Sequence, residues 1–127
     1  MVNNLRKILN ILKTDNKPVW LFAILKMDEI IDRWSVIISA PWINEVNRKE
    51  AFSTILELLK DSLDKSDLAS IARMSLLERS DYLIEELLKK KTGDLIKEEK
   101  INGNMVHEGA IIESSPDLVW SEENRNK

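Results

Sequence analysis

Leu5, Ile8, Leu9 and Leu12 recur at i, i+3, i+4 and i+7, which gathers them on one side of a helix over residues 4–13. Asn3 or Asn4 can cap its start, and Asp15-Asn16-Lys17-Pro18 ends it, since proline cannot extend a helix. The pattern then changes. Residues 19–25, Val-Trp-Leu-Phe-Ala-Ile-Leu, show no polar alternation, the signature of a strand buried on both faces. After a connector over 26–32, residues 34–40 alternate: Trp34, Val36, Ile38 and Ala40 share one parity, and Ser35 and Ser39 take the other with Ile37. A connector this short joins antiparallel neighbours, so these strands are expected to form a hairpin.

Helical spacing returns over 44–64, with Val46, Phe52, Ile55, Leu56, Leu59 and Leu63 in one stripe and Asn44 as the expected cap. Residues 69–77 read as a third strand. Ser80 or Asp81 caps a further helix through Lys91, with Leu83, Ile84, Leu87 and Leu88 inward and Gly93 as terminator. From residue 95 the chain reads as a hairpin. Its turn is either the Asn102-Gly103 pair or a longer loop running to Gly109, which would place His107 in the loop, and Ala110-Ile111-Ile112 is its second strand. The predicted order is α-β-β-α-β-α-β-β. This is an α+β or small α/β domain over residues 1–113: a mixed, roughly five-stranded sheet with about three helices. Residues 114–127 form a polar tail pinned by Trp120.

Composition narrows the functions. The chain of 127 residues has no cysteine, which removes thiol catalysis, thiolate-bound metals and disulfides. That suits a cytoplasmic location. The longest apolar run, Pro18 to Leu25, is far short of a membrane span, and residues 1–17 lack the apolar core of a signal peptide. A net charge of −3 argues against charge-driven nucleic-acid binding. Three glycines, at 93, 103 and 109, cannot build a phosphate loop or dinucleotide fingerprint. No cofactor is implied. The single histidine, His107, has no nucleophile motif beside it.

Three candidate chemistries remain. If strands two and three are parallel, both leave the sheet at one edge, where ligands of open sheets collect. That edge would gather Ser39, Trp42, Asn44, Arg48, Arg79 and Asp81 as a ligand-binding set for a small anion, clamped by arginine and favoured by two helix N-termini. The acidic group Asp28, Glu29 and Asp32 lacks the glycine and spacing of a calcium loop, so a solvated connector is preferred to a metal site. Glu98-x-Lys100 matches the acid–x–lysine triplet of metal-dependent nucleases, with Asp94 or Asp81 as the second carboxylate such chemistry requires.

The leading expectation is a non-catalytic interaction or accessory protein. Three helices are few to cover both faces of five strands. An apolar sheet face bearing tryptophan would then meet a protein partner or a second copy, as a homodimer.

Overall fold

The computed structural model describes residues 1–27 and 32–121. In chain order the elements are α1 (Val2–Thr14), β1 (Leu21–Met27), β2 (Trp34–Ser39), α2 (Arg48–Ser62), α3 (Lys65–Ala69), β3 (Ile71–Leu76), α4 (Tyr82–Leu87), β4 (Leu95–Ile101) and β5 (Asn104–Ser114). The fold is α+β, with one five-stranded mixed sheet in the order β3-β2-β1-β5-β4. β1 and β2 form the expected antiparallel hairpin, Leu21 opposite Ser39 and Leu25 opposite Ser35. β2 and β3 run parallel, and β5 pairs antiparallel with both β1 and β4.

β1 is the central strand, as its unbroken apolar run requires. One of its faces carries Phe22 and Ile24 into a cluster with Leu5, Ile8 and Leu12 of α1, Ile55 and Leu59 of α2, and Val36 and Ile38 of β2. The other carries Leu21, Ala23 and Leu25 into a second cluster with Ile37 and Ile111. The short α4 contributes Ile84 and Leu87 to that second cluster, with Leu83 packed against it and Leu88 joining just past its end. Ile96, Ile101 and Val106 of the β4–β5 hairpin complete the cover. Register shifts along β1 and β5, at Phe22/Ala23 and Lys26/Met27, mark bulges of the kind that increase strand twist and curl a hairpin over its own sheet. Both faces of the inner strands β1 and β2 are therefore largely buried within one chain, while β3 and β4 at the two edges are more exposed.

Several boundaries differ from the periodicity, each for a local reason. α1 starts at Val2, with the Met1 carbonyl accepting from the Asn4 and Leu5 N–H groups, so Asn3 and Asn4 lie inside the helix rather than capping it. β1 runs two residues later than expected because pairing continues through Lys26–Glu108 and Met27–Val106. α2 begins at Arg48 rather than Asn44. The Asn44 carboxamide oxygen accepts from the Val46 and Asn47 N–H groups (both 2.9 Å), and Asn47 accepts from the Asn44 N–H (2.8 Å). These side-chain bonds favour a turn over the helix, which leaves Val46 96% exposed instead of in the helical stripe. Asn47 also donates to the Trp42 carbonyl at 2.8 Å. Asn47→Ala removes both of its bonds and is expected to lower stability by about 1 kcal/mol, read from a urea titration. An unchanged midpoint would show that the turn holds without it.

α3 falls partly on residues expected in the third strand. Asp64 caps it by accepting from the Asp67 N–H at 2.7 Å. α4 ends at Leu87, short of Lys91, where the Asp94 carboxylate accepts the Lys91 N–H (2.8 Å) and holds a turn instead. The hairpin turn is Asn102-Gly103, with φ of 48° and 80°, so both central residues take the positive φ that a type I′ turn demands. β5 is consequently long, and His107 lies within it rather than in a loop. Beyond β5, residues 115–121 form a strap. The Ser115 N–H donates to the Trp20 carbonyl (2.7 Å), the Trp20 indole to the Leu118 carbonyl (3.1 Å) and the Trp120 indole to the Asn16 carbonyl (2.8 Å). Residues 122–127 of the expected tail lie outside the described residues.

Candidate functional site

Because β2 and β3 are parallel, their carboxyl ends open on the same edge of the sheet. β2 leaves through Ala40, Pro41, Trp42 and Ile43, and β3 through Leu77, Glu78, Arg79 and Ser80. Between the two exits lies a cleft of about 420 Å³, within the ordinary range for small-molecule sites. Trp20, Pro41, Ile43 and Leu77 form its apolar lining, and Arg48 and Arg79 bring guanidinium groups to it. The rim also carries the exposed carboxylates of Glu78 and Glu85. Arg48 reaches the cleft from the first turn of α2 and donates through Nη1 to the Leu76 carbonyl. Arg79 is half-buried and has no hydrogen-bond or ion-pair partner among the described residues.

The six residues expected to gather at this edge do not form one site. Arg48 and Arg79 share the cleft. Asp81 lines an adjoining hollow of about 360 Å³ with Arg48 and Tyr82, and its carboxylate caps α4 by accepting from the Leu83 N–H at 2.9 Å. Trp42 and Asn44 lie across Pro41, against a smaller cavity of about 160 Å³ with Lys17, Asn47 and Trp120. There the Lys17 ammonium sits 5.5 Å from the centre of the Trp42 ring, a cation–π contact. Ser39 is buried and borders neither the cleft nor these cavities. Its hydroxyl, like the buried Trp42 indole N–H, has no partner among the described residues.

The expected help from two helix N-termini is also reduced. α4 is six residues long with one of its first N–H groups already bonded to Asp81, and α2 carries Glu50 in its first turn. Attraction for an anion therefore rests on the guanidiniums. Sequence reasoning passed over Trp20 and Leu77. Trp20 is recruited because its neighbour pairs with Ser39 at the end of β2, a cross-strand register that no local pattern reports.

The remaining candidates are engaged elsewhere. Glu98 of the acid–x–lysine triplet pairs with His107 Nδ1 at 3.0 Å, and Asp94 is committed to its turn. Asp28 and Glu29 lie outside the described residues, and Asp32 stands in a turn with φ of 62°. Among the described residues no three or more histidine or carboxylate groups converge as a metal would need. No described helix is long and apolar enough to cross a membrane. No family model matches the chain, and no curated protein or solved structure matches it.

Proposed function

We propose that this protein is a non-catalytic binding protein whose cleft at the carboxyl ends of β2 and β3 takes a small ligand with one anionic group and an apolar body. The observation that carries this reading is Arg79. A half-buried guanidinium without a partner among the described residues, beside an apolar lining, is a place where an anion gains a charge-assisted bond. Trp20 and Leu77 supply the surface for the ligand's body. Glu78 and Glu85 on the rim repel polyanions, which favours a single carboxylate or phosphate ester over a multiply charged one.

Calorimetric titration with a panel of monoanionic carboxylates, phosphate monoesters and nucleotides tests this. Arg79→Ala is expected to weaken the best binder at least tenfold, a loss of about 1.4 kcal/mol, while leaving the melting temperature of the unliganded protein unchanged. If no compound binds, or if the substitution leaves binding intact, the cleft is not the site. A second reading, a protein-interaction role, is favoured by the outer edge of β3.

A further inference from the structure

We infer that the cavity between Trp42 and Trp120 is a binding site for a single neutral sugar ring, separate from the anion cleft across Pro41. Four segments wall it: Lys17 follows α1, Trp42 and Asn44 follow β2, Glu50 and Thr54 lie on α2, and Trp120 belongs to the strap. Its volume of about 160 Å³ is close to that of a cavity known to hold one benzene ring, about 150 Å³. The space therefore suits one six-membered ring.

Most polar groups on these walls are uncommitted. The Lys17 ammonium lies 5.5 Å from the centre of the Trp42 ring and has no hydrogen bond or ion pair among the described residues. The Glu50 carboxylate has none either, so the two charges share the cavity without pairing. The Thr54 hydroxyl is half-buried and unbonded among the described residues. Asn44 accepts through its side-chain oxygen, which leaves its amide nitrogen to donate. The strongest sign is Trp42 itself. It is 7% exposed, yet its indole N–H has no acceptor among the described residues. Trp20 and Trp120, by contrast, both donate to backbone carbonyls. Buried donors are nearly always paired, which marks this one as a donor to a ligand.

Charge and polarity select that ligand. One cation and one anion face the same space, so a ligand of either net charge meets attraction and repulsion together. The Trp42 ring, the surface a cationic ligand needs, already carries Lys17. A wholly apolar ligand leaves the indole N–H and the ammonium unmet. What remains is a neutral ring rich in groups that both donate and accept. Sugar hydroxyls do both: they accept from Lys17, Asn44 and the Trp42 N–H, and donate to Glu50 and Thr54. The C–H face of a pyranose supplies the apolar side that packs on an indole. The Trp42 N–H is closed to water by its neighbours, so a wall moves as the sugar enters. Trp120 is the wall placed to do so. Its ring makes a single hydrogen bond, to the Asn16 carbonyl, and the adjacent Val119 is 89% exposed.

The test titrates glucose, galactose, mannose and N-acetylglucosamine into the isotope-labelled full chain, with the four tryptophan indole resonances reporting where they act. One sugar is expected to bind in the millimolar range, moving the Trp42 and Trp120 signals, with an affinity indifferent to salt. The Trp20 signal, in the anion cleft, stays in place, so failure here and failure of the cleft reading are told apart. Trp120→Ala is expected to weaken binding at least tenfold. Trp42→Phe, which keeps a ring and loses the N–H, should weaken it at least threefold, as should Thr54→Val, the milder change if the buried position does not tolerate phenylalanine. The idea is overturned if no sugar moves the Trp42 signal, if Trp120→Ala and Thr54→Val both leave binding intact, or if free amino acids or nucleobases bind there more tightly than any sugar.

Discussion

Phe22→Ala is expected to lower the free energy of unfolding by about 3–5 kcal/mol, the usual cost of emptying an aromatic site in a packed core. Phe22 is fully buried at the middle of the sheet, opposite Ile38 on β2 and Glu113 on β5. Its ring faces the side covered by α1 and α2. Every neighbour is held by its own element, so little can move in to refill the space. Urea denaturation followed by circular dichroism measures the loss, which should appear as a shifted midpoint with an unchanged slope. A loss below about 1 kcal/mol would mean that the site collapses freely, contrary to a core fixed from both sides.

Gly109→Val should be similarly damaging, for the opposite reason. Gly109 lies in β5 between Leu25 of β1 and Ile96 of β4. A β-carbon there would stand 2.9 Å from Leu25 Cδ2, 3.2 Å from Ile96 Cδ1 and 3.1 Å from the Ile24 carbonyl oxygen. The two side chains can turn aside. The carbonyl belongs to the backbone of the central strand and cannot move without disturbing pairing. Overpacking of this kind costs about 1–3 kcal/mol, with valine at or above the upper end and alanine at the lower. Thermal denaturation of both variants checks the order. If valine melts no lower than alanine, the backbone approach is not what limits the site. Gly103 differs, since nothing lies within 4 Å of its would-be β-carbon and its constraint is the positive φ of the turn.

Much of the fold was legible because strong signals are local. The unbroken run at Val19–Leu25 marked a central strand, and the Asn102-Gly103 pair contained the hairpin turn. The misses at the helix boundaries after β2 share a cause: side chains that bond nearby backbone. Asn44 and Asn47 hold back the start of α2, and Asp94 holds a turn where α4 was expected to continue. Helical periodicity does not register such competition. For the site, the parallel relation of β2 and β3 followed from topology, and it brings Arg48 and Arg79 together. The separation of Trp42 and Asn44 from them did not, because it depends on which side of Pro41 each segment passes.

The strand order has a consequence for biosynthesis. β1 pairs with β2 on one side, but its other neighbour is β5. Roughly eighty residues of chain separate Met27 from Asn104. At a synthesis rate of about 5–20 residues per second, the most apolar strand of the protein waits about 4–16 seconds on the ribosome before its second partner emerges. During that interval its free side is the segment of the nascent chain most exposed to wrong pairing, and the one on which a chaperone would have most reason to act.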